Sequence, residues 1–234
     1  MITRLNRTGN RLLDRLPREE HDRLALLAEL VPMRSRQTIY EADGPVPHVY
    51  FPRGGIVSLI VGLEDGREVE AASIGREGMV GVSAVLGLRF SPCRAVCQVK
   101  ADCWRFPTPP FLQVLDRCPG LADLLKRYSA FAMHGANQLV VCNALHLLEE
   151  RLSRWLLATG DRLGSDNFPL TQEFLAQMLG VRRQTVTVVA GTLQAAGLIS
   201  YRRGAIRVLD RARLEAAACE CYRAMRRVYE RALH

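Results

Sequence analysis

Arg182, Arg183, Gln184, Thr187 and Val188 fall within seven consecutive positions and carry side chains that read base-pair edges. Arginine donates a fork of hydrogen bonds to guanine, glutamine pairs with adenine, and threonine or valine methyls touch the thymine methyl. Thr171, read as the cap of a helix, would bring its neighbouring backbone amides to a phosphate. Arg202 and Arg203 stand at a basic turn whose simplest partner is also phosphate, a solvated turn being the alternative. Catalysis has no comparable set. The sequence shows no nucleophile with a base at a recognisable spacing, no H-x-x-x-H metal pair and no glycine loop that would grip a phosphate.

These side chains need a scaffold that holds one helix out from the body. From Gln172 to Gly191 the chain reads Q-E-F-L-A-Q-M-L-G-V-R-R-Q-T-V-T-V-V-A-G, which fits a helix-turn-helix position by position. Leu175, Leu179, Val181, Val186 and Val189 fall where two short helices bury their contact face. Ala176 stands where the helices cross, and Gly180 occupies the turn, where a positive φ is needed. The second helix is expected over 182–195. Leu198 to Tyr201 and Ala205 to Leu209 then read as two strands around Arg202-Arg203-Gly204, a wing, and Asp210 caps a last amphipathic helix.

Upstream, Pro17-Arg18-Glu19-Glu20 opens a short helix, with proline in the first turn and acids at the positive end. From Gln37 to Phe106 short β-rich runs (Thr38 to Tyr40, Val49 to Phe51, Ile56 to Val61, Val69 to Ile74, Val96 to Val99) alternate with turn formers. Asp65-Gly66 is the strongest hairpin signal. The pattern predicts an antiparallel barrel or jelly roll. After Thr108-Pro109-Pro110 a helical region runs to about Gly160, broken only at Cys118-Pro119-Gly120. Its long helix carries Tyr128, Ala132, Gly135, Leu139, Cys142 and His146 at alternating spacings of four and three, a seam expected to meet a second copy of the chain. The alternative is that this stripe packs on the chain's own barrel; the opposite stripe, Leu124, Phe131 and Leu145, is free to do so instead. Leu145 to Glu149 is read as a hinge.

The 234 residues suit two domains, and 48% apolar with 24% charged residues suits a folded core. Apolar runs such as Leu139 to Cys142 fall far below the roughly 18 residues of a membrane span. The first seven residues lack the apolar stretch of an export signal, so a cytoplasmic location is expected. Of the 32 basic residues only Lys100 and Lys126 are lysine, and the net charge of +8 is uneven: residues 171–234 carry 11 arginines against five acids, net +6. That asymmetry suits a polyanionic partner, with a solvated arginine-rich surface as the alternative.

Seven cysteines without a secretion signal argue for reduced thiols. Cys93, Cys97 and Cys103, with Cys118, Cys142, Cys219 and Cys221, read as small buried apolar residues, and His134 and His146 as polar residues on the long helix. No cofactor is expected, and the sequence names no effector.

The order of parts, from about Asn10 to Leu209 and most specifically over Leu170 to Gly204, resembles the Crp/Fnr transcription regulators. The resemblance implies an α+β chain: a cyclic-nucleotide-binding-like jelly roll over 1–120, a dimerisation helix over 121–147 and a winged helix-turn-helix over 148–234. It implies a homodimer on double-stranded DNA, with RNA polymerase as a further partner. Arg183 and Gln184 match the family's Arg-Glu base-reading pair, Thr185 matches a threonine on backbone phosphate, and Thr171 and Gln172 match phosphate-contacting positions. Glutamine replaces the usual glutamate and Val188 an arginine that reads guanine, so neither of the family's two best-known half-sites is expected as the operator. In nucleotide-binding members a glutamate holds the ribose and an arginine the cyclic phosphate. Val82 and Cys93 stand at those places, and Arg94, one residue along a strand, points to the other face without a bulge. A buried phosphate without a cation costs several kcal/mol, so no cyclic-AMP response is expected. The rival reading is a module sensing a cyclic dinucleotide or other small molecule, whose helix-turn-helix contacts protein only.

Overall fold

The computed structural model describes residues 8–202 and 204–233; the first seven residues, read above for export, and Arg203 lie outside the described residues. Pro17 precedes α1 (Arg18–Ala25), whose first turn carries Glu19 and Glu20 as the dipole favours. Seven strands follow: β1 (Glu29–Met33), β2 (Thr38–Tyr40), β3 (His48–Pro52), β4 (Ile56–Gly62), β5 (Glu68–Ile74), β6 (Arg94–Val99) and β7 (Ala101–Pro107). A single turn, α2 (Val82–Val85), lies between β5 and β6. Strands β1-β7-β3 form one sheet and β2-β6-β4-β5 another.

Five of these strands are the β-rich runs of the sequence. β1 and β7 lie outside those runs; Pro32 disguises β1, which sits at a sheet edge, where a strand tolerates a residue without an N–H donor. β7 pairs with β1 on one side and β3 on the other, both antiparallel. The sheets share one core. Phe51 of β3, Phe106 of β7 and Phe111 are fully buried, with ring centroids 5.5–5.9 Å apart. Cys97 Sγ of β6 lies 3.7 Å from the carbonyl oxygen of Met33 on β1, linking the two sheets. Asp65-Gly66 makes the expected hairpin: Gly66 takes φ +83°, and Arg67 N–H donates to Asp65 Oδ1 at 3.0 Å.

Helices then dominate: α3 (Thr108–Leu115), α4 (Pro119–Leu145) and α5 (Leu148–Leu163). The helical region has a second break, at His146-Leu147, that no proline or glycine marks in the sequence. The Leu147 N–H there donates to the Glu150 carboxylate at 2.8 Å and starts α5. Next come β8 (Asn167–Pro169), α6 (Gln172–Leu179), α7 (Arg183–Ala195), β9 (Ile199–Arg202), β10 (Ala205–Val208), α8 (Arg211–Ala217) and α9 (Cys221–Leu233). Two compact units result, one from residues up to 61 and 72–132, the other from 62–71 and 133–232.

Part of the expected dimer seam on α4 is covered within the chain itself. Tyr128 is buried in the first unit, its hydroxyl 3.3 Å from the Met79 carbonyl oxygen, and a Cβ added to Gly78 would stand only 2.2 Å from that hydroxyl. Cys142 is fully buried against Cys219 and Cys221. A Cβ on Gly135 would lie 3.2 Å from Met225 Cε of α9, Leu139 is half-buried, and His146 Nε2 lies 3.1 Å from Glu220. Ala132 alone of the six is exposed. The cause is α9, whose return along α4 covers the lower part of the seam. The large apolar side chains that α4 leaves in solvent are Met133, Val140, Val141 and Leu145, the last 76% exposed although its stripe is free to face the barrel. Leu124, of the same stripe, is buried.

Candidate nucleic-acid interface

The second unit builds its surface from the burial of its helices. Leu175, Ala176 and Leu179 of α6 enter one core with Val186, Ala190 and Leu193 of α7, beneath Leu152 and Leu156 of α5. Ala176 is 5% exposed at the crossing, where a longer side chain would push the helices apart. Gly180 takes φ +66° and closes α6, its N–H donating to the Gln177 carbonyl, so the chain turns within Val181 and Arg182 into α7. Thr171 is the N-cap of α6: its Oγ1 accepts from Phe174 N–H at 3.2 Å.

Burying Val186, Ala190 and Leu193 fixes which side of α7 faces outward. Arg182, Arg183, Gln184, Thr185, Thr187 and Val188 are all exposed, Val188 at 69%. Gln184, Thr187, Val188 and Gly191 recur at helical spacing and form one stripe, and the surroundings of Gly191 are open. The stripe has the types and length that a major groove accepts.

Thr187 is less free than its exposure suggests. Its Oγ1 lies 2.9 Å from Gln172 Oε1 and 3.0 Å from the Arg183 carbonyl, so the hydroxyl proton is held within the protein. Gln172, half-buried, keeps its amide NH2 for a further acceptor.

β8, β10 and β9 make a small antiparallel sheet, with Ile206 of β10 opposite Tyr201 of β9 and Phe168 of β8. Tyr201 N–H donates to Gln194 Oε1 at 2.8 Å, fastening this wing to α7. Arg202 ends β9 exposed; Arg203, its expected companion, lies outside the described residues. Arg207 on β10 is also exposed and adds a cation to the wing face. It is absent from the expected contacts, although the alternation Ile206, Arg207, Val208 turns it outward from the buried pair. Behind the wing, Arg211 binds Asp161, lies 3.2 Å from Asp166 Oδ1, and donates to the Tyr222 hydroxyl at 2.8 Å, holding α8 against α5.

In the first unit, Val82 begins α2 and Cys93 precedes β6, both half-buried. Neither carries charge. Arg94 enters β6 and lies 4.0 Å from the Glu41 carboxylate.

Two family models match the sequence in the order of these units: a cyclic nucleotide-binding domain over residues 30–118 and a Crp-like helix-turn-helix domain over 150–217. No curated protein matches the chain significantly. Among solved structures, FixK2 from Bradyrhizobium japonicum is similar with a TM-score of 0.72 and 19% identity, covering 82% of this chain and 98% of its own. TTHA1359 from Thermus thermophilus, a transcriptional regulator of the CRP/FNR family, is similar with a TM-score of 0.61 and 25% identity, covering 81% and 98%. The c-di-GMP responsive global regulator CLP of Xanthomonas campestris is similar with a TM-score of 0.69 and 15% identity, covering 83% and 100%. With a nucleotide-binding-type sheet domain, the long α4 and a helix-turn-helix that turns its polar stripe outward, the chain belongs to the Crp/Fnr family of DNA-binding transcription regulators.

Proposed function

We propose that the chain acts as a homodimer on a pseudo-palindromic operator, each subunit inserting α7 into one of two successive major grooves roughly 34 Å apart. The observation that carries this reading is the two-sidedness of α7: Val186, Ala190 and Leu193 are buried while Arg183, Gln184, Thr187 and Val188 stand together in solvent. Arg182, Arg183, Gln184, Thr187 and Val188 read bases; Thr171, Gln172, Thr185, Arg202 and Arg203 hold phosphates. The dimer contact is the apolar face of α4 that α9 leaves uncovered, Met133, Val140 and Leu145, in place of the seam first expected. RNA polymerase is the further partner, and the break at His146-Leu147 is where the hinge acts.

Cyclic AMP is not the signal in this reading, because an anionic phosphate at the family's pocket would meet Val82 and Cys93 and find no cation there. The chain is not an enzyme. Duplex selection from a random pool, followed by fluorescence anisotropy across a salt series, tests the proposal. A two-fold symmetric site with affinity falling steeply in salt supports it. Weak, salt-insensitive association is the result expected of the rival module whose helix-turn-helix serves protein contact.

A further inference from the structure

Four metal-ligating side chains, divided in the sequence between an apolar core and a helical seam, converge in the second unit. Cys142 lies in the last turn of α4 and His146 immediately after it; Cys219 lies in the connection from α8 to α9 and Cys221 opens α9. Their ligand atoms all lie within 4.8 Å of one another, the three cysteines buried and the histidine nearly so. Cys142 Sγ is 3.6 Å from Cys219 Sγ, and Cys221 Sγ is 3.6 Å from His146 Nδ1. In a tetrahedral zinc site with Zn–S of about 2.3 Å and Zn–N of about 2.0 Å, sulfurs stand about 3.8 Å apart and sulfur and nitrogen about 3.5 Å. We infer that Cys142, His146, Cys219 and Cys221 form a closed Cys3His site for Zn2+, which clasps the start of α9 to the last turn of α4.

The neighbours fit a metal better than they fit an apolar cluster. The His146 Nε2–H points to the Glu220 carboxylate at 3.1 Å. That contact fixes the proton on Nε2 and leaves the Nδ1 lone pair facing the thiols, the carboxylate–histidine arrangement of zinc sites. Gln138 Nε2 donates to Cys221 Sγ at 3.0 Å, a contact a thiolate strengthens. Three thiolates on Zn2+ leave one net negative charge. Arg154 acts electrostatically on Cys142, as Cys142 does on Arg151, and the buried Nε atoms of both arginines have no hydrogen-bond partner among the described residues. Binding of Zn2+ displaces the thiol protons to solvent.

The test uses the full chain without a histidine tag, reduced, stripped with chelator and checked for folding by circular dichroism. Titration with Co2+ should give the intense visible and thiolate charge-transfer absorption of a tetrahedral site, saturating at one equivalent and bleached by one equivalent of Zn2+. The zinc-loaded chain should melt at a higher temperature than the stripped chain. Cys219→Ser and Cys221→Ser should each lose the absorption. Should these variants misfold, the wild-type titration decides alone: a folded chain that gives no cobalt absorption, or only the faint spectrum of octahedral cobalt, overturns the site. A Cys142–Cys219 disulfide that takes up no metal once reduced overturns it as well. Because none of these readouts involves DNA, they fail or succeed independently of operator binding.

Discussion

Thr187 on α7 and Gln172 at the start of α6 are joined through their side chains, Oγ1 lying 2.9 Å from Oε1. Two residues assigned to different parts of the DNA, one to a base and one to a phosphate, thus hold each other in place before any DNA arrives. Such preorganisation spares the complex part of the ordering cost of two side chains.

Thr187→Val, which keeps the methyl and removes the hydroxyl, should change operator affinity by less than about 1 kcal/mol, the net worth of one hydrogen bond. Thr187→Ala removes the methyl and should relax preference at one base pair. Anisotropy titrations on the selected operator and single-base variants separate the two. If valine behaved as alanine does, the hydroxyl and not the methyl would be the reading group.

Arg183 and Arg202 should fail differently. Arg183→Ala should cost about 1–3 kcal/mol and relax discrimination at one position, while Arg202→Ala should weaken all sequences alike and lower the salt slope by about one. Identical behaviour of the two variants would contradict the division between base and phosphate contacts.

Met133→Asp with Val140→Asp places four carboxylates across the proposed α4 contact of two chains. Sedimentation should then show a monomer that stays folded and binds operator much more weakly, since a half-site has only one recognition helix. A dimer surviving both changes would move the interface elsewhere. Truncating Cys142 or Tyr128, by contrast, should disturb folding first, because both are buried within their own chain.

Much of this site is legible in the sequence because helix-turn-helix geometry is local. The positions of Ala176, Gly180 and Val186 are dictated by contacts within about ten residues, and the outward stripe follows from them. The cover over part of the α4 seam is hidden for the opposite reason. Periodicity shows that Tyr128, Gly135 and Cys142 share a face, but not whether a second copy or the chain's own distant elements will cover it. Met225 and Cys219 lie some 80 residues downstream, and no local pattern announces their return. The same distance hides the Cys3His cluster: C-x3-H and C-x-C are each unremarkable until α9 folds back on α4. β1 escapes notice because Pro32 is a strand breaker everywhere except at an edge.

Arg211→Met should loosen α8 from α5 by removing one partner each of Asp161, Asp166 and the Tyr222 hydroxyl. The side chain is one-third exposed, so solvent screening holds the cost to about 1–2 kcal/mol. Urea unfolding should show a lower midpoint with an unchanged slope. An unchanged midpoint would mean that the network contributes nothing net.

Isothermal calorimetry with cyclic AMP should register no micromolar binding, since Val82 and Cys93 supply neither a carboxylate for ribose nor a cation for phosphate. Saturable micromolar binding would show that Arg94 leaves Glu41 and reaches the pocket.

The central claim is that the stripe led by Arg183 and Gln184 reads base pairs, presented twice by a symmetric dimer. It is tested most directly by high-resolution footprinting of the purified chain on its selected duplex. The account predicts two protected major-groove patches of equal sequence, one helical turn apart, each losing protection at one base pair in Arg183→Ala. A single patch, or protection that ignores sequence and survives that substitution, would contradict it.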